Sequence, residues 1–592
     1  MCADISSTEF GPWNPGIASQ LPRAYLPYST MFAPENVSTG IERAHELSDF
    51  CGLPAHQLVA FRADRLIIHE LLIRVTADLA VPDGPNYEDL GISFRLMASR
   101  ILDGYIAAHA EELEQLLEDL RIRATLRIQA ALRQELFAEA RPSPPPRPWY
   151  LRLAGGRAKP AAPSETTEER ERRVIGEWQR QSEAADDPFE RACLSALVTI
   201  ASAIAGKRGR LIGDADMIAE MAATLVCNDH GSSLIGAAIN TYVLEAAARE
   251  GYRLLPAQAK TVIMNVKGAS ASGKSTLRPL QRKLAERLDI PWADFALISP
   301  DIWRKFLLDY DSLGAAYKYA GTLTGQEVEI IDKKLDRYMA NKAAAGKMSH
   351  LLIDRFRFDS FAPEQDGAET STLLTRFGDL IYMFFMITPP EATVERAWLR
   401  GLDVGRYKSV DDLLDHNIEA YTGMPQLFFT WASRTKKRVH YEFLDNSVDH
   451  GQAPRTVAFG WNGEMTILDI KSMLDIDRFR KINIQAAYPG DVYIEDKMAP
   501  ASNLEFLRHC AQRIPAINFA DYHTGAVYGR LQDNKWVWRD EKRFAAMLEE
   551  RDAGAGLRAL GSSGAVSGSQ PQLIDARAHN VGAWGTGGLE KL

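Results

Sequence analysis

Cysteine is scarce in this chain. Its 592 residues hold five, Cys2, Cys51, Cys193, Cys227 and Cys510, scattered singly with no C-x-x-C pair. Such spacing supports neither a disulfide framework nor a zinc site, and it fits a reducing compartment. Positive charge is also in short supply. The net charge is −9, so no global basic field attracts nucleic acid. Apolar runs of membrane length are missing as well. Residues 192–205 are too few to span a bilayer and include Ser and Thr; residues 225–248 are broken by Asn228, Asp229, His230, Asn240 and Glu245. The opening MCADISSTEFGPWNPG has neither the basic start nor the apolar core of a secretory signal, and no internal repeat is visible. These absences predict a soluble, cytoplasmic protein with no membrane partner.

What is present is enough apolar residue, 46%, to fill the cores of about three or four domains. Residues 1–140 read as an N-terminal helical domain, with apolar positions at helical spacing at Leu66, Ile67, Leu71, Leu72 and Val75 and again from Glu88 toward Phe137. Residues 141–172 open with RPSPPPRP and continue as GGRAKPAAPSETTEERERR, an extended and then charged linker. A second helical block follows over 173–256; within it Asp229-His230 reads as a loop pair beside Gly231. Over 257–470 strands alternate with helices, which predicts an α/β domain with a parallel sheet and helices on both faces. The expected strands start near Thr261, Phe295, Ser349, Asp379 and Lys437, with a closing hairpin at Thr456–Phe459 and Glu464–Ile467. Residues 471–552 read as a small α+β appendage, and the Gly/Ser-rich tail, 553–592, as disordered.

The stretch with the most chemistry is TVIMNVKGASASGKSTLRPLQRKLAERL, 261–288. A buried strand runs into Gly268-Ala269-Ser270-Ala271-Ser272-Gly273-Lys274-Ser275-Thr276, which contains a complete G-x-x-x-x-G-K-[ST] loop. Leu277, Leu280, Leu284 and Leu288 then mark a helix. Glycines let successive backbone N–H groups curl toward phosphate oxygens, and the helix start adds its positive end. Lys274 is placed to reach the β- and γ-phosphates of ATP, with Ser275 on Mg²⁺.

In an open α/β sheet the reacting groups lie beyond the C-terminal ends of the strands. After the second strand comes Asp301, placed to take a proton from an acceptor hydroxyl, with Arg304 one turn on; Asp301 as a plain helix cap is the bland alternative. After the third comes Asp354, either a Mg²⁺ ligand or a grip on the acceptor. After the fourth come Arg396, Arg400 and Arg406, arginines of a closing lid that would neutralise charge in phosphoryl transfer; surface arginines paired with Glu391 or Glu395 are the alternative there. Between strands two and three lie Tyr319, Thr322, Thr324 and Glu327.

The series GASASGKST, ISPDIWR, LLIDRFRF, ITPPEATVERAWLRGLDVGR and YEFLDNSVDHGQAP resembles the zeta-toxin family of P-loop kinases, over about 258–470 only. The resemblance implies a kinase-type α/β fold and transfer from ATP to UDP-N-acetylglucosamine. It implies ATP and Mg²⁺ at Lys274 and Ser275, and Asp301 as general base beside Arg304. It further implies Arg400 and Arg406 in the lid, Asp445 and Asn446 near the adenine, and an antitoxin or regulatory protein as partner. Ala271 departs from the family's loop, which has another glycine there, and no short motif carries over the acceptor; the resemblance implies only that it is gripped between strands two and three, with Tyr319, Thr322, Thr324 and Glu327 as candidates. The expectation is therefore an ATP- and Mg²⁺-dependent kinase of a small molecule or nucleotide sugar. Its rivals are an ATPase or nucleotide switch whose helical regions do the work and, ranked lower because the basic run at Arg434–Arg438 is short, a polynucleotide 5′-kinase.

Overall fold

The structure is a computed structural model that describes residues 10–86, 88–136, 166–355, 374–449, 451–561, 571–573 and 577–585. The RPSPPPRP stretch and the last three residues of LLIDRFRF lie outside the described residues. The chain divides into two compact units: one of 1–25, 73–98 and 249–592, the other of 26–72 and 99–248.

The second unit is all helical, and it merges what the sequence reads as two helical blocks. Leu120, Ala124, Ile128 and Leu132 of the helix Ala110–Glu135 share one core with Val174 and Trp178 of Thr167–Ala184 and with Leu197, Ile200 and Ile204 of Pro188–Arg208. Each helix carries one apolar stripe, and stripes from before and after the proline-rich stretch cover each other. Thr166, placed by the sequence in the linker, instead caps the first of these later helices, accepting from Glu169 N while Glu169 reaches back. Pro188–Arg208 is long and apolar enough to cross a bilayer by length and composition, but its apolar stripe is spent on this core. Asp229-His230 lies on a helical turn, Cys227–Gly231, rather than in a loop.

The first unit is built on one ten-stranded sheet of mixed α/β architecture. Its strands are β1 Val262–Lys267, β2 Phe295–Ile298, β3 His350–Asp354, β4 Leu380–Ile387, β5 Arg438–Asp445, β6 Arg455–Trp461, β7 Glu464–Ile467, β8 Ala516–Ala520, β9 Val527–Gln532 and β10 Lys535–Arg539. Their order across the sheet is β10-β9-β8-β7-β6-β5-β4-β1-β3-β2. Strands β2, β3, β1, β4 and β5 run parallel, so their C-terminal ends share one edge. Alternation places the two faces of β4 in different cores. Ile381, Met383, Phe385 and Ile387 pack with Tyr421, Met424 and Phe428 of the helix Val410–Ala432. Tyr382, Phe384 and Met386 pack with Leu277, Leu280 and Leu284 behind the glycine-rich loop.

Residues 73–98, read from sequence as part of the N-terminal domain, belong to this unit. Asp83 accepts from Arg282 (2.7 Å) and from the Trp292 indole (2.9 Å), Thr76 from the Trp303 indole (3.1 Å), and Asp78 from Lys342 (2.7 Å).

The C-terminal fifth corrects two expectations. Residues 471–552 are no separate appendage: β8 pairs in parallel with β7 and continues the same sheet. The helices Ile470–Arg478 and Glu505–Arg513 complete the core over β4 and β5. The tail is ordered where described. Arg551–Ala559 is a helix whose Gly556 admits Ile470 and Leu507 closer than a Cβ would allow. Residues 577–585 lie against β4, β5 and β6. Val581 N and Gly582 N donate to the buried Glu442 (2.8 and 3.0 Å), Thr456 N donates to Ala583 O (3.1 Å), and Tyr382 Oη meets His579 Nδ1 at 2.8 Å. Glycines that read as low complexity serve here as points of close packing.

Candidate active site

The glycine-rich loop leaves β1 at the centre of the parallel strands. A Cβ on Gly268 would lie 2.7 Å from Ser272 Oγ and 2.8 Å from Met386 Cβ, and one on Gly273, at φ +92°, would lie 2.3 Å from Asn446 Nδ2. Both positions need glycine for space, and the second for its backbone angle too. Ala271 sits at φ 58°, the left-handed conformation in which glycine costs least. Thr388 Oγ1 and Asn446 Nδ2 both donate to Ser272 O (3.0 and 2.8 Å), tying the loop to the ends of β4 and β5.

Lys274 Nζ curls back onto Ala269 O (2.8 Å) and Gly268 O (3.2 Å). Burial pulls its ammonium down to about 8; Asp354 and Asp301 pull the other way, while Arg400 and Arg406 add to the decrease. Ser275 Oγ donates to Asp354 Oδ2 at 2.5 Å, so the hydroxyl and carboxylate that would share Mg²⁺ already face each other. Among the described residues no group of three or more His, Cys, Asp or Glu could cage a metal. Mg²⁺ needs none, since it commonly takes one or two protein ligands and completes its shell with phosphate and water. The cradle and this pair fit a Mg²⁺–nucleotide.

Asp301 stands across from this loop, two strands away. Arg304 Nε donates to its Oδ1 (2.9 Å) and Arg406 Nη2 to its Oδ2 (2.7 Å). Its side chain keeps 45% of its surface open, although protein atoms crowd the carboxylate. Burial would raise its pKa, but Arg406, Arg304 and Arg400 together hold it well below the usual carboxylate range. Asp301 lies in a 3₁₀ turn, Pro300–Trp303, and caps no helix through its side chain; its partners are arginines.

Of the three arginines expected in a lid, the structure brings two to Asp301. Arg406 touches it and Arg400 acts on it and on Lys274 through space. Arg396 turns away and donates to Asn446 O (2.7 Å) and Val448 O (3.3 Å), holding the turn after β5. Asp445, expected near an adenine, accepts from Ser447 N (2.9 Å) and faces Arg455 Nη1 at 3.4 Å.

No family model, curated protein or solved structure matches the chain.

The acceptor candidates are mostly engaged within the fold. Thr324 Oγ1 accepts from Arg304 Nη1 (2.8 Å) and donates to Ala320 O (3.0 Å), so it braces the arginine that braces Asp301. Tyr319 Oη accepts from Ala18 N (3.1 Å). Glu327 is fully buried and Thr322 is exposed. Sequence reasoning missed Lys408, whose ammonium lies 2.8 Å from Asp412 and 3.0 Å from His416 Nδ1 and is pushed toward neutrality by burial, with Arg400 and Arg304 adding to the push. It also missed Tyr317, whose hydroxyl lies against Gly405 so closely that a Cβ there would sit 2.2 Å away. Neither belongs to a motif; only the return of the 405–408 segment onto 317–319 gives them a part.

Proposed function

We propose that this chain is a P-loop kinase: an ATP- and Mg²⁺-dependent phosphotransferase that moves the γ-phosphate of ATP to a hydroxyl of a small molecule or nucleotide sugar. The observation that carries the reading is Asp301, a carboxylate held between Arg304 and Arg406 opposite Lys274 and the Ser275–Asp354 pair. A nucleotide switch needs no such base. In the reaction the acceptor O–H gives its proton to Asp301, and the acceptor oxygen bonds the γ-phosphorus. The bond from that phosphorus to the β–γ bridging oxygen breaks, and ADP leaves. Mg²⁺ would be held by Ser275 and Asp354 and would neutralise phosphate charge. Lys274 binds phosphate oxygens and exchanges its two loop carbonyls for them. Arg400 and Arg406 stabilise the charge that spreads in transfer. While Arg406 and Arg304 both grip Asp301 it is a poor base. Arg406 is thus a substrate-operated latch, drawn to phosphate and away from the carboxylate as transfer begins.

A cytoplasmic setting suits a user of ATP whose described cysteines are all unpaired. Resemblance to the zeta-toxin family makes UDP-N-acetylglucosamine the first acceptor to try. The test is transfer of label from γ-labelled ATP, with Mg²⁺, into that compound and into pooled metabolites, with Lys274→Ala as blank. A labelled product establishes the kinase; label released only as free phosphate would overturn this reading in favour of an ATPase or switch.

A further inference from the structure

The stretch that carries Arg406 holds a second cation, which no step of the reaction above uses. Arg406 and Lys408 flank Tyr407, whose ring fills a notch at Gly401 that leaves no room for a Cβ. The same ring meets Trp398 and Tyr317 edge-on, at centroid distances of 5.6 and 6.4 Å. This packing anchors the segment between the helices Pro390–Val404 and Val410–Ala432. One neighbour of Tyr407 thereby reaches Asp301 and the other reaches Asp412 and His416. We propose that Lys408 is a catalytic cation of the transfer site, whose ammonium binds the γ-phosphoryl group of the donor while Asp412 and His416 hold it in position. The inference rests on the phosphotransferase reading.

The ammonium is held at two points. Lys408 Nζ lies 2.8 Å from Asp412 Oδ2 and 3.0 Å from His416 Nδ1, and His416 Nε2 lies 3.4 Å from Asp412 Oδ1. Asp412 and His416 are four apart on one helix, so both can meet at one point. Burial, with Lys408 adding to it, brings the histidine down to about 3. Its ring is therefore neutral: Nδ1 accepts from the ammonium, and Nε2–H is turned to the carboxylate. Together they take two of the three donors of Lys408, and the third keeps its capacity. An ordinary ion pair at this spacing sits on an exposed face, whereas the His416 side chain is 11% exposed. That of Lys408 keeps 27% of its surface open, enough for a ligand oxygen to reach it.

The surrounding charges select the ligand. Arg400 and Arg304 act on Lys408, and Lys274 acts on His416, so the two side chains stand between the phosphate loop and the arginines around Asp301. Lys274, Arg304, Arg400, Arg406 and Lys408 outnumber the carboxylates they face, Asp301, Asp354 and Asp412. Glu419, further along the same helix, is raised to about 7 by burial and by Asp415, and counters only part of the excess. Cations crowded together with too little counter-charge repel one another until an anion joins them. The γ-phosphate is the part of the donor that must come to Asp301, and it carries the charge this cluster lacks. A phosphate oxygen beside Lys408 offsets its burial and the repulsion from Arg400 and Arg304 together, and so restores the full ammonium charge. In transfer Lys408 adds a donor to those of Arg400 and Arg406 as charge spreads over the phosphoryl oxygens.

The test compares binding of ATP and of ADP, each with Mg²⁺, to the full chain by calorimetry, since the two ligands differ only in the γ-phosphate. Lys408→Met should weaken ATP by at least about tenfold and leave ADP within about twofold. Lys274→Ala should weaken both. Parallel losses of ATP and ADP in Lys408→Met, or unchanged binding of both, would overturn the assignment of Lys408 and leave the phosphate loop intact. No binding of either ligand to wild type would instead sink the phosphotransferase reading and this inference with it. Should Lys408→Met unfold, trace acetylation of wild-type lysines with acetic anhydride, read by mass spectrometry, decides. Mg²⁺–ATP should slow labelling of Lys408 at least about fivefold more than Mg²⁺–ADP does, and equal protection by the two refutes the contact.

Discussion

Replacing Asp301 by Asn separates the roles this carboxylate plays. The amide keeps the size of the side chain and an oxygen for one arginine, but it cannot take the acceptor proton. The structural cost is small. Asp301 is 45% exposed and its two ion pairs are screened by solvent, so each contributes about 0.2–1 kcal/mol to stability, and the fold should survive. Transfer should fall on the order of 10²–10⁴-fold, the usual contribution of a general base. ATP binding should move the other way. Removing one negative charge from a site that holds Lys274, Arg304, Arg400 and Arg406 leaves a more positive cradle. At a separation of about 8 Å and an effective dielectric of about 40, that is worth about 1 kcal/mol, or about fivefold tighter binding. Initial rates with γ-labelled ATP, paired with calorimetric titration of ATP, measure both quantities on one preparation. A variant that transfers at the wild-type rate would refute Asp301 as base. One that loses ATP binding would show that the carboxylate shapes the nucleotide site, contrary to the geometry.

Other consequences concern charge and packing. Because burial brings the Lys274 ammonium down to about 8, the free enzyme loses this cation as pH rises through that value, and ATP affinity should weaken there; affinity flat to well above pH 9 would contradict the assignment. Arg355→Leu strips Asp332 (3% exposed) of its 2.7 Å partner and Asp336 of its 2.9 Å one, so stability measured by denaturant unfolding should drop by about 3–5 kcal/mol. Gly582→Ala places a Cβ 2.5 Å from Leu444 Cδ2 and Thr456 Oγ1 and 2.9 Å from the Thr456 backbone nitrogen. A loss of about 1–3 kcal/mol is expected, whereas an unchanged melting curve would mean that the tail contributes nothing.

The parts of the site that local chemistry dictates were legible before any fold was known. A buried strand, a turn that only small residues can make and a helix that follows it all depend on neighbours in the chain, so residues 262–287 announce themselves. Strands β2 to β7 were placed to within about two residues for the same reason. Composition misled where glycine had a tertiary use, as at Gly556 and Gly582, which read as low complexity and serve as contacts. It also misled at 471–552, because continuation of a sheet is a pairing between distant segments, and nothing within β8 marks β7 as its partner.

Local sequence supplies the inventory: a phosphate loop, carboxylates at strand ends, a cluster of arginines, and an excess of apolar residue sufficient for several cores. The tertiary structure alone decided which of these meet. Arg396 and Arg400 are four apart on one helix, Pro390–Val404, yet one holds the carbonyls after β5 and the other acts on Asp301. The difference comes from what lies across from each turn of the helix, which no periodicity encodes. Thr324 and Tyr319 look like ligand grips until their partners, Arg304 and Ala18, are seen. The strand order likewise sets β4 and β5 on one side of the loop and β2 and β3 on the other. Local backbone preferences act over a few residues, whereas register, side-chain pairing and the direction of a bound chain of phosphates are fixed by contacts between segments far apart in the sequence.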